Sequence, residues 1–306
     1  MPSPAEQRNI VFYPTGRWAI SENTAWNVYL VGCGGTGSFI AHALAQLKAS
    51  QPAPGRGLGR IVLIDPDLVE ARNIGRQNFA PADTGYPKAQ ALAFRYNLAF
   101  GIDMEWVNGR FDASLLPKTS ISLSRLLLIG AVDNGRARRT IAEALKKRSD
   151  DALWLDAGNG YDRGQVAIGN TFARRLLATS VDPNINIARY LPYPSLALPE
   201  LLRDEPRPEP SCAQAVETEA QSLYMNRFMA SIVGEYLRRL VAGQLGIFHT
   251  WIHLATMEMV SVPVSSHNIQ RYSGPPSGKK HSTIADPAAF SEVIPIGSVL
   301  ADQTTV

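Results

Sequence analysis

Acids and bases crowd into one short part of this chain. It reads Asp65-Pro-Asp67-Leu-Val69-Glu70-Ala-Arg-Asn73-Ile-Gly-Arg76-Gln77, and Gly85-Tyr-Pro87-Lys88 follows. Farther along, Asp133 and Asn134 precede Arg136 and Arg138. Arg76 and Lys88 can neutralise phosphate oxygens. Asp133 can hold Mg2+, a hard ion that favours carboxylate and phosphate oxygens. Such a set suits a reaction that brings two anions together and builds charge on a phosphate and its leaving group. Hydride transfer has no need for so many charges.

Ahead of these residues, Gly32-Cys33-Gly34-Gly35-Thr36-Gly37 joins an apolar run to an amphipathic one. Glycines let the backbone approach a phosphate closely, and a helix N-terminus there favours negative charge. Gly32, Gly34 and Gly37 also satisfy the spacing of an NAD-binding loop, and Asp65 ends the next predicted strand, where an acid commonly binds ribose hydroxyls. On the loop and Asp65 alone, an NAD(P)-dependent oxidoreductase and an ATP enzyme are served equally. A tight turn without a ligand is the plainer reading of the loop.

The spacing D-x-D-x-V-E-x-x-N-x-x-R-Q, followed by G-x-x-K, is similar to the adenylation signature of the ThiF/MoeB/HesA and ubiquitin-activating superfamily, with the likeness running from Val28 to Gly158. The resemblance implies that Asp65 binds ribose, that Asn73, Arg76 and Lys88 contact phosphates, and that Asp133 holds magnesium. It puts Gly32, Gly34, Gly35, Gly37, Asp67, Gln77 and Arg138 in the same nucleotide site, with the role of Gln77 the least defined. The stretches GRQNFAPADTGYPKAQALAFRYNLAFGI, LWLDAGNGYDRGQVAIGN and PSCAQAV, with YMNRFMA beyond, resemble ThiF-family proteins of PRTRC gene clusters and activating enzymes of bacterial ubiquitin-like conjugation operons. The family likeness implies that the C-terminal carboxylate of a ubiquitin-like or sulfur-carrier protein, a small β-grasp carrier, is adenylated with ATP and Mg2+. It also implies a homodimer, with Arg17 as a candidate to reach into the partner's site. A non-catalytic scaffold would keep the fold yet lose Arg76 or Asp133 first, since neither is needed for folding.

Cys33 and Cys212 are the only cysteines. The two CxxC pairs of many relatives are missing, so no structural zinc is expected. Cys33, inside the glycine loop, reads as a small buried hydrophobe. Cys212 follows a proline-dense stretch and precedes a predicted helix, whose positive end favours a thiolate. In relatives that form thioesters the cysteine lies on a loop crossing over the adenylate, which implies Cys212 as acyl acceptor. The alternative for Cys212 is an inert thiol. His249 and His253 are four apart in a strand-like segment without a third ligand, and read as structural.

The elements that must carry these residues alternate. Strands are expected at 27–31, 60–64, 104–107, 126–132 and 153–156, and helices at 36–49, 89–99 and 137–147. Phe39, Ile40, Ala43, Leu44 and Leu47 mark the buried face of the first helix. This is the pattern of an α/β, doubly wound, Rossmann-like and mostly parallel sheet. An antiparallel extension is expected at 165–169. Residues 192–211 carry six prolines and are expected as an extended crossover loop. A long helix over 213–242 follows, its apolar face bearing Val216, Ala220, Leu223, Met229, Ile232, Val233, Tyr236 and Leu240. A strand pair over 251–262 comes next. The expected division is an N-terminal segment 1–26, an ATP-binding core 27–170, a crossover and helix region 171–268 completing the same domain, and a polar tail 269–306.

Composition narrows the partners. A net charge of +3 gives no clustered basic stripe for nucleic acid. No apolar run reaches the roughly 20 residues that span a bilayer, and no basic-then-apolar leader opens the chain. Two cysteines in 306 residues fit a reducing cytoplasm.

Overall fold

The computed structural model describes residues 10–13, 25–51, 57–117, 125–148, 152–160, 162–204 and 223–274. Apolar runs alternate with amphipathic ones along the first half, and three of the strands they form, at 25–31, 57–65 and 125–130, each lead into a covering helix. Strand β1 (Val11–Phe12) is short. Strands β2 (Ala25–Val31), β3 (Gly57–Asp65), β4 (Met104–Asn108), β5 (Arg125–Gly130) and β6 (Ala152–Asn159) pair in parallel, in the order β4-β3-β2-β5-β6. Helices α1 (Gly35–Ala49), α2 (Lys88–Phe100) and α3 (Gly135–Lys146) connect them. Strand order reverses between β2 and β5, and in open α/β sheets ligands bind at such a switch point, outside the carboxyl ends of the strands.

The strands are buried on both faces, as parallel strands covered by helices must be. On one face Tyr29, Val31, Val62, Ile64, Leu126, Leu128 and Trp154 pack with Ile141, Ala142 and Leu145 of α3. Their neighbours in sequence point the other way, toward α1 and α2. On α1, Ile40 and Leu44 are fully buried, each stabilising the fold by about 2 kcal/mol. Phe39, Ala43 and Leu47 are half-buried instead.

The sheet then continues in antiparallel fashion with β7 (Arg163–Gly169), and after it β10 (Ile247–His253) and β11 (Glu258–Pro263). Between them lie α4 (Arg174–Ala178), β8 (Val181–Asp182), β9 (Ile187–Ala188), α5 (Pro194–Ala197), a 3-10 turn Pro199–Leu202 and the long helix α6 (Leu223–Val241). Strands β1, β9 and β8 form a separate small sheet. A short helix α7 (Ser266–Gln270) follows β11.

Three expectations need correction. The segment after Pro192 is not wholly extended: α5 and the 3-10 turn each begin on a proline, which costs nothing at a first helical position because the missing N–H has no partner there. Strand β3 begins at Gly57 and β10 at Ile247, each earlier than the apolar runs indicated. On α6 the fully buried residues are Met225, Asn226, Met229, Ala230, Val233, Tyr236, Leu237 and Leu240, whereas Ile232 is only half-buried. The helix packs on α1 and on β6 and β7 at once, so its buried stripe is wider than one face. Val216, Ala220 and the tail 275–306 lie outside the described residues.

Candidate active site

The chain leaves β2 through Gly32, whose φ is +93°, a left-handed conformation that glycine adopts without strain. Its N–H donates to Ile64 O at 2.9 Å, and a Cβ there would lie 2.5 Å from Ala131 O. The loop is therefore pressed between the ends of β3 and β5. A Cβ at Gly37 would lie 1.9 Å from Gly32 O, so the first turn of α1 sits directly on the loop. Gly34 differs from both, since a Cβ there would meet nothing within 4 Å. No side chain caps α1 at Gly34, which leaves the first N–H groups of the helix uncapped at the positive end of its dipole. Backbone donors beside open space are an arrangement that can receive a phosphate.

Asp65 closes β3 and is buried. Its Oδ2 accepts the Cys33 N–H at 2.6 Å and its Oδ1 accepts the Asp67 N–H at 2.8 Å. Burial raises its pKa, against those two N–H groups. Each carboxylate oxygen has lone-pair capacity left for a sugar hydroxyl. The Cys33 thiol is fully buried, and desolvation holds its pKa well above the ordinary thiol range. It packs rather than reacts.

Lys88 opens α2, where the helix dipole disfavours a cation, and it is nonetheless buried. Its Nζ donates to Asp67 Oδ2 at 3.0 Å. A buried cation at the wrong end of a helix is a local conflict of the kind found at functional sites. The preceding loop is locked by its own polar groups. Asn73 Oδ1 accepts the Glu70 N–H, and Asn73 O accepts the Gln77 N–H. Ser38 Oγ of α1 accepts the Asn78 N–H at 2.9 Å. Arg76 is half-buried on this loop, its Nε donating to Arg72 O at 3.2 Å. Gln77 is buried, and its Oε1 has no hydrogen-bond partner among the described residues.

Asp133 is exposed on the turn after β5, with Oδ1 accepting an N–H from the Asn134 side chain at 2.9 Å. Asn134 in turn caps α3, its Oδ1 accepting the Ala137 N–H at 2.8 Å. An accessible single carboxylate fits Mg2+, which keeps most of its water and takes one or two carboxylates beside substrate phosphates. No cluster of three His, Cys, Asp or Glu side chains occurs among the described residues.

The model of the ThiF family matches residues 7–171. The chain belongs to the ThiF family. Ubiquitin-like modifier-activating enzyme 5 of Dictyostelium discoideum is 27% identical over 147 residues, covering 43% of this chain and 35% of that protein. Its Gallus gallus counterpart is 26% identical over 145 residues, covering 44% of this chain and 34% of that protein. The chain thus matches about a third of the length of these relatives. The crystal structure of E. coli MccB with ATP aligns with a TM-score of 0.50 at 17% identity, covering 79% of this chain and 64% of that one. That likeness is one of fold, and it extends beyond the family match into the antiparallel half.

Within this ThiF-family site, three features escaped sequence reasoning. Asp156, fully buried on β6, takes the Arg138 Nε within 3.1 and 3.2 Å of its two oxygens, and burial raises its pKa beyond what Arg138 lowers it. Arg138 is therefore anchored in the sheet. Asn159, at the end of β6, and Asn226 on α6 form a polar cluster with Thr36 beside the glycine loop. One signal did exist for Asn226: it occupies the buried stripe shared with Ala230, Val233 and Leu237, where a polar residue needs a reason. Of the other residues singled out, His249 is buried on β10, its two ring nitrogens without a hydrogen-bond partner among the described residues, and His253 pairs with Asp162 at 3.2 Å. Cys212 and Arg17 lie outside the described residues. No helix among the described residues is long and apolar enough to cross a membrane.

Proposed function

We propose that this chain adenylates a carboxylate with MgATP. The observation that carries the reading is the convergence on one sheet edge of an open phosphate cradle at Gly34, a buried acid at Asp65 and a buried cation at Lys88. ATP lies with its ribose on Asp65 and its phosphates against the α1 N-terminus. The incoming carboxylate oxygen attacks the α-phosphorus. The bond from that phosphorus to the bridging oxygen breaks, and pyrophosphate leaves with the electron pair. The product is an acyl-adenylate. Lys88 and Arg76 stabilise the charge that develops on the α-phosphate and the departing pyrophosphate. Asp133 would hold Mg2+, which supplies further neutralisation of phosphate charge when bound.

The substrate is the C-terminal carboxylate of a small β-grasp, ubiquitin-like carrier. The names of the enzyme 5 relatives and the likeness to bacterial conjugation-operon enzymes support that choice. The acyl group then passes to the Cys212 thiolate: its sulfur attacks the acyl carbon and AMP leaves. A homodimer in the cytoplasm is the setting proposed here. The test is intact-protein mass spectrometry of the chain with MgATP and a candidate β-grasp protein, with Cys212→Ser in parallel. A thiol-sensitive adduct in the wild type, lost in the variant, supports both steps. An AMP adduct on the carrier with both proteins keeps the adenylation and removes the thioester. Because the loop and Asp65 also suit NAD, binding of NAD in preference to ATP would overturn the reading.

A further inference from the structure

We propose that Asn226 of α6 is a positioning residue for the phosphate end of the site, joining the glycine loop to the loop that carries Arg76. The inference rests on the ATP reading given above. Asn226 is 1% exposed, although its helix is otherwise buried through apolar side chains. Its Nδ2 lies 3.2 Å from Arg76 O, which can only accept, so the nitrogen must face that carbonyl. Its Oδ1 then accepts from Asn159 Nδ2 at 3.1 Å. Thr36 Oγ1, with one proton to give, lies 2.6 Å from Asn159 Oδ1 and 3.2 Å from Asn226 Oδ1. The result is a directed chain of donors from Thr36 through Asn159 and Asn226 to the backbone of Arg76. Networks of this kind are rigid when every member is satisfied.

A second observation points to the same amide. A Cβ at Gly35 would lie 2.7 Å from Asn226 Nδ2, 2.8 Å from Oδ1 and 2.9 Å from Cγ. The Asn226 side chain is therefore laid flat against Gly35, and Gly35 must lack a side chain to admit it. Gly34, beside it, faces open space instead. The two adjacent glycines do different work: Gly34 leaves room for the ligand, and Gly35 leaves room for Asn226. Asn226 touches the backbone of Arg76, not its guanidinium. It acts on phosphate by setting where that guanidinium and the α1 N-terminus sit relative to each other. A displacement of about 1 Å between such groups can cost about a hundredfold in function.

The test is calorimetric titration of the full chain with MgATP, and with adenosine as a competitor that has no phosphates. The variants are Asn226→Ala, Gly35→Ala and the two combined. Asn226→Ala is expected to weaken MgATP by about tenfold or more and adenosine by less than about twofold. Gly35→Ala is expected to do the same alone, because its methyl group displaces the amide. Added to Asn226→Ala, it should cost less than about twofold more, because the amide is already gone. If Asn226→Ala does not fold, Asn159→Ala breaks the chain one link earlier and should show the same split. Equal losses for MgATP and adenosine, or additive losses in the double variant, would overturn the inference and leave the ATP reading intact. A wild type that binds no MgATP would remove both.

Discussion

The two halves of the large sheet contribute to the site in different ways. In the parallel half, the candidate residues sit at strand ends, in the first turn of a following helix or on the loop between β3 and α2: Gly32 after β2, Asp65 ending β3, Asn73 and Arg76 on that loop, Lys88 opening α2, Asp133 after β5. The antiparallel half and α6 contribute no comparable motif. Helix α6 supplies Asn226, which joins Asn159 at the end of β6 and Thr36 of α1 through hydrogen bonds between residues 67, 123 and 190 positions apart. In the proposed reading the parallel half presents groups to a ligand. The other half holds the presenting loops in place.

Glycines at equivalent tight points offer the sharpest way to break this comparison. A Cβ at Gly37 would lie 1.9 Å from Gly32 O, and a Cβ at Gly169 on β7 would lie 1.9 Å from Pro192 O. Both meet backbone, which cannot rotate away. Gly37→Ala and Gly169→Ala should each cost about 3 kcal/mol of stability, read by urea unfolding. Only Gly37→Ala should also lower ATP affinity in the folded fraction. Equal affinity losses from both would erase the distinction between the halves.

A smaller effect belongs to the antiparallel half alone. His249 is buried with no hydrogen-bond partner for its ring among the described residues, and desolvation takes its pKa down to about 3. The folded state therefore refuses a proton that the unfolded chain accepts near pH 6.5. The sign follows: stability is complete above pH 6.5 and is lost as pH falls toward 3, by about 2 kcal/mol between pH 8 and pH 5. His249→Phe should flatten that slope in denaturant titrations without changing ATP binding at neutral pH. A slope unchanged in the variant would assign it to other groups. The smallest effect expected is at Asn134, whose cap on α3 is worth about 1 kcal/mol. Thermal unfolding of Asn134→Ala should show that loss. Asp133, next to the cap, would become less well placed, so MgATP affinity should fall as well.

How much of this was legible in the sequence follows the same division. The alternation of apolar and amphipathic runs gave the parallel strands and α1 to α3 to within a few residues, because strand, loop and helix there are local. Asp65, Asn73, Arg76 and Lys88 could be read as a set because one βαβ unit holds them at fixed spacing. Arg138 could be read from its distance to Asp133, but its pairing with Asp156 could not, since β6 and α3 meet only in the folded chain. Asn226 lies in a stripe of apolar residues on α6, and nothing near it in sequence shows that Gly35 and Arg76 will arrive beside it. The buried face of α6 was misjudged for a related reason: periodicity describes a helix with one buried side, and α6 has neighbours on more than one. Proline density reads as a bar to helix, yet proline also starts a helical turn, as Pro194 and Pro199 do.

The central claim is that the buried acid and cation at the carboxyl edge of the sheet select ATP. The most direct measurement is a calorimetric titration of wild type and Lys88→Ala with MgATP and, separately, with NAD. The account predicts that the wild type binds MgATP and not NAD, and that Lys88→Ala weakens MgATP by about tenfold or more, the loss of one charge-assisted contact to phosphate. Binding of NAD in preference to ATP, or MgATP affinity untouched by loss of Lys88, would contradict it.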